Sequence, residues 1–382
     1  MIILVINCGS SSAKYQLFNV EHLRCMSRGI VERIGSPLAN LKHQNNGKLF
    51  QRKVSCPDHH VAIDIIVGAI TDPKDGVIKS KDLIGGVGHR VVHGAEEFRY
   101  STKITPEVIR SIEKYSELAP LHNPPALSGI RACLKILSGV PQVAVFDTSF
   151  HQTMPPKAFL YGLPLRFYKK YGIRKYGFHG TSHRFVADQA AKVLKSSVKK
   201  LKLITCHLGN GCSMAAVKNG ESVDTTMGFT PLEGLLMGTR SGDLDPAAVF
   251  FLMEKENLTP DRISDILNKE SGLLGMSGVS NDMRDIIKAA KGSGVSGPRA
   301  RIALEMFVYR IEKYIGAYQA AMNGLDAVIF TAGIGENNPW IMKRIKRDLR
   351  KVLAGSVKFL IIPTNEELLI AKDTYHIIQR SD

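Results

Sequence analysis

Ile3-Leu4-Val5-Ile6-Asn7-Cys8-Gly9-Ser10-Ser11-Ser12-Ala13-Lys14 and Leu203-Ile204-Thr205-Cys206-His207-Leu208-Gly209-Asn210-Gly211-Cys212-Ser213-Met214 are two versions of one pattern. An apolar strand runs into a turn of small residues and then into a second apolar stretch. Placing Gly9 on Gly209 gives an offset of 209 − 9 = 200 residues, and Asn19 then falls on Asn219. Small residues let successive backbone N–H groups approach an anion closely, which makes a phosphate nest. One such loop commonly marks nothing more than a β-hairpin turn. Two at matching places predict a duplicated domain that handles phosphate, and so a phosphotransferase.

The 382 residues suffice for two domains with cores of their own. No apolar run approaches the ~20 residues of a membrane helix, and Met1–Ile6 reads as a first buried strand. The six cysteines (Cys8, Cys25, Cys56, Cys133, Cys206, Cys212) show no C-x-x-C or zinc spacing, so reduced thiols in a cytoplasmic protein are expected. The net charge of +16 raises nucleic-acid binding as an option. The densest basic stretch, residues 343–351, however, carries its charges around Ile341, Ile345, Leu349 and Val352. That spacing marks the outer face of an amphipathic helix, and no aromatic interleaving accompanies it.

Short β-branched runs predict buried strands at Ile2–Ile6, Gln142–Phe146, Leu203–His207, Ala327–Thr331 and Val357–Ile362. Between them a helix is expected from Thr181-Ser182, which would cap it, with Phe185, Val186, Ala190, Val193 and Leu194 inward. A long helix is expected over Pro298–Met322. Residues 35–60 show no clear element. The mixture is α/β. A boundary is expected near residue 148, with domains 1–148 plus 368–382 and 149–367.

Six segments can carry chemistry. Residues 225–246 have neither helical nor strand period and hold four glycines and two prolines around Arg240, Asp243 and Asp245; so long an irregular stretch inside a domain is usually functional. His179, between Gly177-Phe178 and Gly180, precedes a helix start and is placed to meet an anion. His183, inside that helix, reads as a hydrogen-bonded structural residue. Arg90 ends a strand-like run and could fork onto a carboxylate or phosphate. Asp147 ends an apolar strand, a common place for catalytic groups in α/β sheets. Gly333-Ile334-Gly335-Glu336-Asn337 forms a third strand-to-helix turn, and Ser280–Arg284 offers an acid and a base.

In their order along the chain, Asn7–Lys14, Tyr176–His183, His207–Gly211, Met227–Pro246, Ser271–Arg284, Gly333–Asn337 and Ile362–Leu368 closely resemble the acetate kinase family. That family belongs to the larger group containing sugar kinases, Hsp70-type chaperones and actin. The resemblance runs from Met1 to about Ala371. It implies duplicated ribonuclease-H-like (actin-like ATPase) domains with an active-site cleft between them, and a homodimer. It implies reversible phosphoryl transfer from ATP to acetate, giving acetyl phosphate and ADP, with Mg²⁺ or, in its place, Mn²⁺; an ionised acetate is its own nucleophile, so direct in-line transfer is expected, with a phosphoenzyme as the competing route. Asn7 and Glu366 match the metal-site residues. Lys14, His207, Leu208, Gly209, Asn210, Gly211, Asp282, Met283, Arg284, Gly333, Ile334, Gly335, Glu336 and Asn337 match the ATP-binding positions. Arg90, Asp147, His179, Asn210 and Arg240 match the catalytic set, and Val92, Leu121, Phe178 and Pro231 the pocket for the acetate methyl. The bulk of Val92 favours acetate over propionate, the alternative within the family. An actin- or Hsp70-like ATPase would leave Arg90, His179 and the 227–246 loop without a purpose. Neither nucleic acid nor membrane is expected as a partner. Two departures stand out: the stretch between Asn337 and Val357 is shorter than usual, and Ala95 follows Gly94 where a second glycine is common.

Overall fold

The computed structural model describes residues 1–36 and 38–380. It divides into two compact units, Met1–Phe150 with Asn365–Asp382, and His151–Thr364.

The first unit is built on one mixed sheet. Its strands are β1 (Ile2–Gly9), β2 (Ser12–Asn19), β3 (Arg24–Glu32), β4 (Ala39–Asn45), β5 (Lys48–Val54), β6 (Ile84–Val91), β7 (Thr102–Lys103) and β8 (Gln142–Phe146). They lie in the order β5-β4-β3-β2-β1-β6-β8-β7. β1 pairs antiparallel with β2 and parallel with β6, which in turn pairs parallel with β8. Successive residues of β1 point to opposite faces, and both faces are covered. Leu4 and Ile6 join a core with Ile63, Ile66 and Cys133 from the helices His59–Ile70 and Asn123–Ile136. Ile3 and Val5 join another with Ile370, Ala371 and Ile378 from the C-terminal helix Glu366–Gln379. That is why the strand reads as an unbroken apolar run.

Two glycines of β6 seat the C-terminal helix. A Cβ at Gly86 would strike the Ile378 side chain, and one at Gly88 would strike Thr374 and Ile370. Without them the helix rests directly on the strand, and its first residue, Glu366, arrives beside the end of β6.

The second unit repeats the plan. β9 (Lys202–Leu208), β10 (Cys212–Lys218), β11 (Glu221–Thr225), β12 (Ala327–Thr331) and β13 (Lys358–Ile361) lie in the order β11-β10-β9-β12-β13. β9 pairs antiparallel with β10 and parallel with β12, and β12 parallel with β13. The same order, β3-β2-β1-β6-β8, occupies the centre of the first sheet. The two glycine loops are the matching hairpin turns β1–β2 and β9–β10. They differ in length: Gly9 pairs with Ser12 across two residues, whereas Leu208 pairs with Cys212 across three.

Several local expectations are corrected. Residues 35–60 contain the hairpin β4–β5, which turns at Asn46-Gly47 with both residues at positive φ (41° and 81°); that dipeptide is itself a hairpin signal. The outer strand β5 is mostly exposed and charged, so it lacks the alternation that betrays a half-buried strand. Thr181 and Ser182 do not cap the helix that runs Gly180–Val193. Its N-cap is His179, left-handed at φ 55°. Val193 is exposed rather than inward, and the long helix runs Ser296–Met322. In the basic helix Pro339–Asp348, Ile341 and Ile345 are buried, but Leu349 and Val352 lie past its end. Ala95 sits at φ 48°, a left-handed conformation that glycine adopts without strain.

His89 of β6 is fully enclosed, its Nε2 2.8 Å from the Gln142 side-chain oxygen. Burial pushes its pKa down to about 4 from an ordinary 6.5. The folded state therefore refuses a proton that the unfolded chain accepts below about pH 6.5. Stability is full above that pH and falls as pH drops toward 4, by roughly 3 kcal/mol from this group. Urea unfolding at pH 7 and pH 5 should show about 2 kcal/mol of this loss, since pH 5 lies between the two pKa values, and His89→Leu should flatten the pH dependence even though it weakens the fold at both.

Candidate active site

The first unit brings Arg90, Asp147 and Glu366 together. Arg90 lies near the end of β6, and Asp147 follows β8, its backbone N–H donating to Val91 O at 2.9 Å. Parallel strands end at the same level, so the two side chains meet. Arg90 donates through Nε to both Asp147 oxygens at 3.2 Å and through Nη2 to Oδ2 at 2.7 Å. Glu366 Oε2 is 3.9 Å from Nη2. Burial opposes the charge of the guanidinium, but Asp147 and Glu366 outweigh it and raise its pKa. Burial also raises the Glu366 carboxyl, to about 7; Arg90 offsets this in part and Asp147 adds to it. Asp147 grips one edge of the guanidinium and leaves Nη1 for another anion.

Asn7 stands near the end of β1 and pairs across the hairpin with Lys14, whose exposed side chain joins Asn7 in lining a cavity of about 270 Å³. His59 braces the turn, its Nε2 2.8 Å from Gly9 O. Val92 is half-buried just beyond β6, whereas Leu121 is 68% exposed. Among the described residues no group of three or more His, Cys, Asp or Glu side chains forms a metal cage.

The second unit assembles His179, Arg240 and Asn210 around its glycine loop. The His179 ring stacks on His207, with centroids 4.2 Å apart and planes 21° from parallel. Its Nδ1 is 2.9 Å from the Ser213 hydroxyl. A Cβ placed on Gly211 would lie 3.4 Å from Arg240 Nη1 and 3.7 Å from His179 Nε2. The bare glycine thus leaves open the spot on which both groups converge. Arg240 Nη1 donates to Pro231 O at 3.2 Å, and among the described residues no carboxylate pairs with the guanidinium. A half-buried cation without a counter-ion is poised for an anion. Asn210 accepts from Asn281 Nδ2 at 3.2 Å, and Gly238 N–H donates to its backbone oxygen at 3.0 Å; a side chain at Gly238 would collide with the Asn210 amide.

The irregular 225–246 stretch is held by two half-buried acids. Asp243 accepts from Gly234 N–H at 2.8 Å and from the Tyr314 hydroxyl at 2.7 Å. Glu233 takes the Tyr161 hydroxyl, and Lys175 Nζ at 2.6 Å. Met227, Leu235, Leu236 and Met237 are buried. Asp245 caps the helix Pro246–Lys255, accepting from Ala247 N–H. Phe178 is buried beside His179, and Pro231 is half-buried.

A groove of about 600 Å³ is lined by Gly209, Asn210, Asp282, Arg284, Gly333 and Asn337, with Met283 and Ile334. Asp282 caps the helix Met283–Ala290 and also holds the Arg284 side chain, Nη2 to Oδ2 2.6 Å. Other expected ATP-site residues shape the loops instead. Leu208 is buried, and Gly335 packs against it. The Glu336 carboxylate accepts from the backbone N–H groups of Ala332 (2.8 Å) and Thr364 (3.2 Å), which steadies Ala332 at φ 63°. Asn281 and Asn338 also line the groove and were not singled out by sequence; Asn281 adjoins Asp282 in the quoted segment. Cys8 and Cys212 are buried and pushed up to about 12, and Cys206 is raised further, so these thiols behave as small core residues.

Known proteins show the same architecture and sequence. Residues 2–355 match the profile of the Acetokinase family. The acetate kinase of Desulfitobacterium hafniense (strain DSM 10664 / DCB-2) is 53% identical over 401 aligned positions, covering all of both chains. The crystal structure of Porphyromonas gingivalis acetate kinase superposes with a TM-score of 0.94 at 45% identity, over 99% of each chain. A propionate kinase from Francisella tularensis subsp. tularensis SCHU S4 superposes with a TM-score of 0.91 at 38% identity, over 98% of this chain and 99% of that one. From this agreement of sequence, fold and site, the chain belongs to the acetokinase family.

Proposed function

We propose that this protein transfers a phosphoryl group from ATP to acetate, reversibly and in line, giving ADP and acetyl phosphate. The observation that carries the reading is the convergence of His179 and the carboxylate-free Arg240 beside Gly211. Acetate is ionised at pH 7 and is its own nucleophile. The reaction needs no general base; it needs management of charge as an anion approaches a triphosphate. Arg90, oriented by Asp147, binds the acetate carboxylate through its remaining edge. Arg240, His179 and Asn210 bind the phosphoryl oxygens. The groove beside Gly209, Asp282 and Gly333 takes the nucleotide, with Lys14 on its phosphates.

Asn7 and Glu366 would hold Mg²⁺. A single half-buried carboxylate with an amide, and no three-acid cage, suits an ion that keeps waters and takes its other oxygens from substrate phosphates. A cation there also favours the ionised form of a carboxyl that burial otherwise protonates. The bound ion supplies neutralisation of phosphate charge.

A homodimer fits the second unit. The helix Pro246–Lys255 buries none of its side chains, and Phe250 and Phe251 are 70% and 59% exposed. Exposed aromatics side by side are usual where a partner covers them. We place the protein in the cytoplasm, since its six cysteines are all free. No helix among the described residues is long and apolar enough to cross a membrane.

Incubation with Mg-ATP and acetate, propionate or butyrate, with hydroxylamine as trap, should yield acetyl hydroxamate above the others. ATP hydrolysis without any acyl hydroxamate would overturn the reading. Arg240→Ala should lower kcat by about 10³-fold or more, as loss of an arginine on a transferring phosphoryl does. Val92→Ala should raise the propionate-to-acetate ratio of kcat/KM roughly tenfold, the worth of about one methylene; an unchanged ratio would place the pocket wall elsewhere. Light scattering should give twice the chain mass for the native protein, and Phe250→Glu with Phe251→Glu should halve it.

A further inference from the structure

Thr205, His183, Ser213 and His179 form one unbroken hydrogen-bonded line inside the second unit. Thr205 Oγ1 is 2.7 Å from His183 Nδ1, His183 Nε2 is 2.7 Å from Ser213 Oγ, and Ser213 Oγ is 2.9 Å from His179 Nδ1. The line follows from the fold. His179 and His183 are four residues apart at the start of one helix and so lie on the same face. Thr205 on β9 and Ser213 on β10 come from neighbouring strands under that face. Thr205, His183 and Ser213 are all fully buried.

We propose that Thr205, His183 and Ser213 are positioning residues that set the tautomer of His179, keeping its proton on Nε2, the nitrogen that faces Gly211. The proposal rests on the reading of His179 as a phosphoryl-binding residue.

The direction of the line is decided at its buried end. Among the described residues His183 Nδ1 is the only partner of the Thr205 hydroxyl. A buried hydroxyl hydrogen needs an acceptor, so Thr205 donates and His183 Nδ1 accepts. His183 is neutral, because burial and the nearby His151 and His207 rings hold its pKa well below the ordinary value. A neutral imidazole that accepts at Nδ1 carries its hydrogen on Nε2, so His183 donates to Ser213. Ser213 has one hydrogen left to give, and its other partner is His179 Nδ1. Nδ1 of His179 is therefore an acceptor, and the ring's proton sits on Nε2. With the opposite tautomer His179 would present a lone pair to the anion and repel it. With this one it presents a donor beside Arg240 Nη1, where a phosphoryl oxygen can accept from both. Selection of a histidine tautomer by the partner of its other nitrogen is the logic by which buried groups orient catalytic histidines.

The test uses the full chain labelled with ¹⁵N-histidine, observed at pH 8 by two-bond nitrogen–proton correlation. His179 is assigned by the signals that vanish in His179→Gln. The expected wild-type result is a protonated Nε2 and an unprotonated Nδ1. Thr205→Val removes the terminal donor at nearly constant volume; it should mix the tautomers and lower kcat about fivefold, the worth of one hydrogen bond. KM for ATP and acetate should stay within about twofold, because contact positions are untouched. Thr205→Ser keeps the hydroxyl and should keep both the wild-type spectrum and kcat. A purely packing role would reverse that order, since valine fills the site and serine leaves a hole. Ser213→Ala should lower kcat by about 10–100-fold with a folded far-UV spectrum, as it takes the shared hydroxyl from both His183 Nε2 and His179 Nδ1. A wild-type His179 protonated on Nδ1 overturns the proposal, as does Thr205→Val with an unchanged spectrum and kcat. Separately, full acyl phosphate formation by His179→Gln would overturn the phosphoryl-binding reading itself, while the spectra still judge the tautomer.

Discussion

Each sheet turns on one strand that is buried on both faces and hydrogen-bonded on both edges. β1 and β9 are antiparallel to the following strand on one edge and parallel to β6 and β12, respectively, on the other. A strand so enclosed cannot shift register without moving its apolar residues out of two cores at once. Its C-terminal end is therefore a fixed point. Asn7 and His207 stand there, and the glycine turns begin there. Arg90, Asp147 and Thr331 are fixed relative to those ends because parallel neighbours finish at the same level.

The two clusters handle charge differently, and the difference suits the roles proposed for them. Arg90 is held from one side by Asp147, which fixes its plane and offsets part of its charge. Arg240 has no such restraint and is positioned by a carbonyl and the Met237 sulfur instead. Among the described residues no carboxylate offsets its charge. Around both, glycines matter for what they omit. Gly86 and Gly88 admit the C-terminal helix, Gly211 leaves open the spot beside Arg240 and His179, and Gly238 makes room for Asn210.

Much of this was legible in the residues. The strands at 142–146 and 327–331 are bounded as their apolar runs suggest, because strands buried on both faces have no alternation to blur them. The hairpin β4–β5 escaped because β5 is an open outer strand whose residues answer to solvent rather than to a core. The helix Gly180–Val193 was expected, but its start was not. Ser182, which looks like a cap, instead bonds His207 Nδ1 and Thr364, and a left-handed His179 closes the helix end. Serine is common at caps, and nothing local distinguishes one aimed at a ring 25 residues away.

By itself the sequence determined the class of fold, the duplication and the small-residue turns, since these follow from local periodicity and steric allowance. It also carried the residue types an anion site needs, in recognisable segments. Only the tertiary structure decided which of them meet. Arg90 with Asp147 spans 57 residues, His183 with Ser213 30, and Arg240 with Gly211 is set by a loop that Asp243 and Glu233 tie down. Hydrogen bonds and ion pairs act over about 3 Å in space, whatever the separation along the chain. Strand pairing and helix seating alone bring those atoms within reach.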